Sequence, residues 1–185
     1  MSTVTWTADW GRAFRANAGK WLSPLRGRPC VYLEVGVFEG RSGHWMLTHV
    51  LTHPQSRYVG IDTWAGSSRL QAAHERAHQN LSPFRSRVRL VRERAQTCLA
   101  RPDFEPCIDV AYSDGDHRTE AVVEISRLLW PRLGHEGIVI WDDLPWGEGQ
   151  VGVGVERFLD SISGEYDVLF RNWQLGVRKL APRRD

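Results

Sequence analysis

With 185 residues, 42% of them hydrophobic, the chain is long enough to bury one core and too short for two ordinary domains. Its formal net charge of +2 comes from scattered basic residues, the Arg183-Arg184 end apart, which leaves no electrostatic footprint for nucleic acid or an acidic membrane. No apolar run reaches membrane-spanning length, residues 1–10 lack a secretory apolar core, and three cysteines without a Cys-x-x-Cys pair argue against a disulfide framework or cysteine zinc site, so a cytoplasmic enzyme is expected.

The first segment is rich in tryptophan: Trp6, Trp10, Phe14 and Trp21 recur at mostly helical spacing. It reads as an amphipathic helix running to about Leu25 and ending before Pro29, a helical cap over residues 1–28 on a single domain of residues 29–185. Capping is the simplest role; covering a pocket or pairing with a second copy in a homo-oligomer are the others. An apolar run, Val31–Val35, interrupted only by Glu34, then meets Gly36 and Gly40 and passes into helix-compatible residues 45–51. A buried strand entering a helix through such a glycine turn makes a ligand cradle, because glycine lets the backbone come close where a Cβ would not fit. A P-loop would need four residues between the glycines and then Gly-Lys-Ser/Thr, whereas here three intervene and Arg41 follows. A nicotinamide fingerprint would need glycine at position 38, which is Phe38.

Arg57–Asp62 gives a second strand ending in a carboxylate, completing a β-α-β unit. A carboxylate there can accept hydrogen bonds from both ribose hydroxyls of a nucleoside, so Asp62 is the principal binding candidate; an Asp-Thr turn or helix cap is its bland alternative. Leu70, Ala73, Ala77 and Leu81 place small apolar groups on one helical face. The same helix carries His74-Glu75-Arg76-Ala77-His78, which satisfies the short zinc-peptidase pattern. Leu81 and Phe84 stand where its extended form needs glycine and a third histidine, so the pair reads as a solvated helix face.

Strands are expected at residues 88–91, 108–112 and 137–141, with a helix at Ala95–Ala100 and another carrying the stripe Ala121, Val122, Ile125, Leu128 and Leu129 until Pro131 stops it. Val155, Phe158, Leu159 and Ile162 mark the last helix, and the short Arg171-Asn172 connection joins strands 166–170 and 173–180 as an antiparallel hairpin. This order predicts an α/β fold: a Rossmann-like, doubly wound, seven-stranded, mostly parallel sheet with a C-terminal antiparallel hairpin. The acidic candidates Glu34, Asp62, Asp114, Asp142 and Asp143 then all fall at or near carboxyl ends of strands, where ligands bind in open parallel sheets.

Glu34-x-Gly36-x-x-x-Gly40 resembles the first motif of class I S-adenosylmethionine-dependent methyltransferases, and the strand order resembles their fold along nearly the whole chain. Gly60-Ile-Asp-Thr-Trp-Ala-Gly66 and Asp114-Gly-Asp-His117 are similar to the macrocin and mycinamicin O-methyltransferase branch, and more distantly to catechol O-methyltransferase. The resemblance implies that Glu34, Gly36, Gly40 and Asp62 contact S-adenosyl-L-methionine, with Trp64 near the adenine and Glu93-Arg94-Ala95 closing its other face. It implies that Asp114, Asp142 and Asp143 hold one magnesium ion, as in catechol-type enzymes, and that His117 occupies the place of their basic lysine. Chemically, two or three converging carboxylates suffice for a hard divalent ion, and a near-neutral imidazole can accept a hydroxyl proton. Against this stand readings of Asp142-Asp143 as the start of a loop, Asp114-Gly115 as a turn and His117 as a helix cap, a role Asp116 can fill instead.

The expectation is therefore a methyltransferase acting on oxygen of a small hydroxylated acceptor, with magnesium assistance and a flexible lid at residues 144–154. An NAD-dependent oxidoreductase would share the first two strands but leave the Asp114, Asp142 and Asp143 cluster unexplained. A non-catalytic cofactor-binding subunit is the third reading.

Overall fold

The computed structural model describes residues 4–105 and 107–181; the Arg183-Arg184 end and the first three residues of the expected cap lie outside the described residues. Seven strands form one sheet, as the alternation of strands and helices predicts, and across it they run in the order Val88–Arg92, Arg57–Asp62, Val31–Val35, Ile108–Ser113, Leu133–Trp141, Leu175–Lys179, Tyr166–Arg171. Two compact units divide the chain, Met1–Arg94 and Ala95–Asp185.

The first unit contains α1 (Arg12–Trp21), β1 (Val31–Val35), α2 (Arg41–His49), β2 (Arg57–Asp62), α3 (Ser68–Leu81) and β3 (Val88–Arg92). β1 pairs β2 in parallel from Val31 opposite Arg57 to Val35 opposite Ile61, and β2 pairs β3 in parallel as far as Asp62 opposite Arg92. β1 is buried from Tyr32 to Val35, which explains its near-continuous apolar run: a parallel strand covered on both faces has no solvent side to alternate with. Ser67 starts α3 by accepting the Leu70 amide, and Ala73 and Ala77 on its buried face lie in a cluster with Val37 and Trp64.

The helix expected to run to Leu25 is shorter. It begins only at Arg12, and Trp6 and Trp10 lie in a non-helical segment before it. Side chains of α2 and α3 provide the reason, since they offer that segment hydrogen bonds and ring contacts described below. They compete successfully with a helix that has no N-terminal capping side chain at Gly11.

The second unit contains α4 (Ala95–Ala100), β4 (Ile108–Ser113), α5 (Thr119–Leu129), β5 (Leu133–Trp141), α6 (Trp146–Ser161), β6 (Tyr166–Arg171) and β7 (Leu175–Lys179). β4 and β5 are parallel; β7 is antiparallel to both β5 and β6, which is the expected hairpin. α5 buries Ala121, Val122, Ile125 and Leu129 of the stripe read from sequence, leaves Leu128 half-buried, and packs against α6.

The expected lid at residues 144–154 is corrected in its second half only, which is the regular, packed part of α6. Gly147, Glu148 and Gly149 take left-handed backbone angles, and regular helix resumes beyond them. Val151 and Gly154 are buried, and a Cβ on Gly154 would lie 2.8 Å from the Thr119 carbonyl and 2.9 Å from Val122, so this stretch is wedged against α5. The three cysteines are free thiols. Among the described residues no helix is long and apolar enough to cross a membrane.

Candidate functional site

In the first unit the glycine turn after β1 is built as a cradle. Gly36 and Gly40 have φ of 90° and 78°, and Phe38 between them also has a positive φ of 51°. At Gly40 a Cβ would fall 2.9 Å from the Leu81 side chain, so this position needs glycine for both its angle and its space.

Asp62, at the end of β2, braces that turn. Its Oδ2 accepts the amides of Val37 and Phe38, each at 2.9 Å, and its Oδ1 accepts the Trp64 amide at 2.8 Å. A carboxylate has about four lone-pair sites, so one remains for a ligand hydroxyl while the turn stays intact. The two ribose bonds expected of Asp62 would require one amide to let go.

Two of the expected cofactor residues, Glu34 and Trp64, are turned into the protein. Glu34 is fully buried, and its carboxylate accepts the Tyr58 hydroxyl at 2.7 Å and the Ser42 hydroxyl. It ties β1 to β2 and α2 beneath the turn, and burial pushes the Tyr58 phenol well above its ordinary pKa, with the Glu34 charge adding to it. Trp64, expected beside an adenine, is 0% exposed: its indole N–H donates to the Phe38 carbonyl at 2.7 Å and its ring packs on His74, with centroids 4.5 Å apart. A ring with no free face cannot stack on a ligand. Arg94 is exposed just after β3. His74 and His78 face each other with their Nε2 atoms 3.2 Å apart on α3.

Sequence reasoning missed the N-terminal strap, residues 4–11. The amide and hydroxyl of Thr7 donate to Glu39 at 2.8 and 2.6 Å, and Arg76 donates to the same carboxylate at 2.6 Å. Asn80 accepts the Thr5 amide and donates to the carbonyls of Thr5 and Glu39, at 3.0, 3.0 and 3.1 Å. Arg41 donates to the Ala8 carbonyl at 2.7 Å and pairs with Asp9. Trp6 stands edge-on to His44, and Trp10 lies against Phe38 with centroids 5.1 Å apart. Burial opposes ionisation of Glu39, but the Thr7 and Arg76 bonds outweigh it and hold its pKa below the usual value. An acidic residue between the two glycines was the available signal.

In the second unit Asp114, His117 and Asp143 come together, each offering a ligand atom within 4.8 Å of the others. His117 Nε2 is 3.6 Å from Asp114 Oδ1 and 3.6 Å from Asp143 Oδ2, too far for a hydrogen bond to either, and it has no other partner. Asp116 accepts the Arg118 amide at 3.1 Å and pairs with its guanidinium, while α5 starts at its N-cap Arg118 with no capping side chain, so neither Asp116 nor His117 caps it. Trp146 brings its ring to 5.4 Å from the imidazole.

Asp142 is not part of this group. It is 7% exposed, and its carboxylate accepts the Tyr112 hydroxyl, the Gln174 amide at 2.8 Å and the Asp143 backbone N–H at 2.7 Å. Its neighbour turns outward because Asp143 has a left-handed φ of 55°, where its Oδ1 accepts the Trp173 indole N–H at 2.6 Å. Neither Gln174 nor Trp173 could be linked to the acidic pair from sequence, since about thirty residues separate them.

Burial pushes Asp114 up to about 7, with the Asp142 and Asp143 charges adding and His117 opposing, although 33% of its side chain meets solvent. Burial also raises Asp142, against the bonds from Tyr112 and Gln174. The Asp114 carboxylate raises His117 against its own burial. Three carboxyls crowded this way favour a proton or a cation among them. An open groove of about 900 Å³ lies beside Trp173, Leu144 and Pro145 and extends along α6 to Val153 and Arg157.

A family model described as a methyltransferase domain matches residues 33–144. Among solved structures, apo CalS11, a TDP-rhamnose 3′-O-methyltransferase of calicheamicin biosynthesis, aligns with TM-score 0.58 at 22% identity, over 82% of this chain and 72% of that one. The Podospora anserina methyltransferase PaMTH1, solved with SAH bound, gives 0.61 at 16% identity over 84% and 73%. An rRNA methylase from Streptococcus thermophilus gives 0.65 at 12% identity over 94% and 100%. At these identities the likeness is one of fold. No curated protein matches the sequence.

Proposed function

The chain belongs to the methyltransferase-domain family, as an S-adenosylmethionine-dependent enzyme, and on that premise we propose that it methylates a hydroxyl oxygen of a small molecule with the help of a divalent cation. The cofactor, when bound, supplies an activated methyl group on sulfonium sulfur. The protein's work is then alignment and proton removal. For the donor, Gly36 carries no Cβ to block close approach to the turn, and Asp62 keeps one lone-pair site for a ribose hydroxyl.

The observation that carries oxygen as the methylated atom is the group Asp114, His117 and Asp143. A hydroxyl is a weak nucleophile until its proton leaves, and an imidazole nitrogen with no hydrogen-bond partner is placed to take that proton. Asp114 and Asp143 would hold a hard cation such as magnesium, whose contribution would be to lower the hydroxyl pKa. Asp142, braced by Tyr112 and Gln174, fixes the end of β5 from which Asp143 projects. A nucleic-acid acceptor finds no support in a net charge of +2 with scattered basic residues.

Methyl transfer from S-adenosylmethionine into small-molecule extracts, followed by mass spectrometry for a methyl gain, tests the reading. EDTA should suppress turnover and magnesium restore it. His117→Gln should lower kcat about 10²- to 10⁴-fold while leaving S-adenosylhomocysteine affinity unchanged. Turnover indifferent to both chelation and that substitution would remove the cation and the base together.

A further inference from the structure

We propose that Arg69, seated on Trp10 and Phe38, holds the α-carboxylate of S-adenosylmethionine. The proposal rests only on that compound being the cofactor, not on the acceptor atom or the cation. Three arginines pack around the glycine turn. Arg41 is engaged by Asp9 and the Ala8 carbonyl, and Arg76 by Glu39. Arg69 is different. Its guanidinium carbon lies 5.5 Å from the Trp10 ring centroid and 5.5 Å from that of Phe38, and among the described residues no carboxylate or carbonyl accepts from it. A cation held by two rings keeps its N–H fork free and its orientation restricted, the state in which bidentate capture of a carboxylate loses least entropy.

The ligand's chemistry calls for such a group. S-adenosylmethionine has a nucleoside at one end and an amino acid at the other, and its carboxylate must exchange water for a charged or hydrogen-bonding partner. Asp62 cannot be that partner, since it is itself an anion, while Phe38, on which Arg69 rests, gives its amide to Asp62. Ribose recognition and a free cation thus flank the same turn residue.

The strap makes this arrangement permanent. Glu39 and Asn80 are 2% and 1% exposed, and both have hydrogen bonds to Thr5 or Thr7. Lifting the strap would strand those buried polar groups, so Trp10 is a fixed wall that remains 67% exposed on its outer side.

Calorimetric titration with S-adenosylhomocysteine and with 5′-methylthioadenosine, which lacks the amino-acid end, separates the possibilities. Arg69→Gln should weaken S-adenosylhomocysteine about ten- to hundredfold and leave methylthioadenosine within about twofold; Arg69→Lys, which keeps charge but not the fork, should fall between. Unchanged S-adenosylhomocysteine affinity in Arg69→Gln, or an equal loss for both ligands, overturns the carboxylate role. Wild-type protein that bound neither would instead sink the cofactor reading on which it stands.

Discussion

Asp62 braces the glycine turn with its carboxylate and, on the proposed reading, has one lone-pair site left for a ribose hydroxyl, so its substitution should be felt in both stability and binding. Asp62→Ala leaves the amides of Val37, Phe38 and Trp64 without their acceptor, at about 1–3 kcal/mol for each one that water cannot reach. The expected outcome is a melting point several degrees lower together with at least a tenfold loss of S-adenosylhomocysteine affinity, read by thermal unfolding and calorimetry. Wild-type affinity in that variant would take the ribose role away from it. Gly43 offers a packing test. A Cβ there would sit 2.6 Å from the Tyr58 ring and push its hydroxyl off Glu34. Gly43→Ala should cost about 1–3 kcal/mol in urea unfolding, and an unchanged midpoint would show that the ring yields freely. At this scale the sequence indicates where a carboxylate falls along a strand but not which donors it meets. Asp62, Asp114 and Asp143 were legible because strand ends are legible. The inward turn of Glu34 and Asp142 was not, because it depends on Tyr58, Ser42, Tyr112 and Gln174 arriving from elsewhere in the chain.

Among the elements, the strap of residues 4–11 is the one that local pattern misread. Tryptophans at helical spacing are equally well placed by contacts with a neighbouring helix, and Thr5 and Thr7 bond to Asn80 and Glu39 seventy-five and thirty-two residues away. The strap should also respond to acid. The Glu39 carboxyl has a folded pKa below its ordinary value of 4.5, so its stabilising bonds are fully present above that pH and are lost as pH falls through the lower, folded value. Hydrogen exchange should therefore show residues 4–11 opening in acid below pH 4.5, earlier than β1, and Glu39→Gln should flatten that dependence. Strap protection that stayed level through that range would mean that Thr7 and Arg76 do not depend on the charge. The lid expected at 144–154 was drawn too long for a related reason: glycines suggest mobility, but Gly154 is there so that α6 can lie close to α5.

For the whole molecule, the order of strands and helices was readable because each β-α step carries its own apolar period, and β2 and α4 fall at the bounds expected for them. Parallel pairing and the hairpin at β6 and β7 followed from connection rules, not from any one residue, whereas the order of strands across the sheet came from the structure. If the nucleoside cofactor binds only the folded chain, S-adenosylhomocysteine at a hundred times its Kd should add about 2.7 kcal/mol and raise Tm by roughly 5–10 °C. NAD or ATP at the same concentration should leave Tm where it was, and a shift produced by NAD alone would return the oxidoreductase reading to first place.

One consequence concerns synthesis. Asp142 and Asp143 are added to the chain about thirty residues before the two side chains that aim them, Gln174 and Trp173. A nascent chain paused between those points would carry the acidic pair unshaped, its carboxylates repelling one another. The geometry of the acidic pair would then arrive late and at once, when β7 slots between β5 and β6.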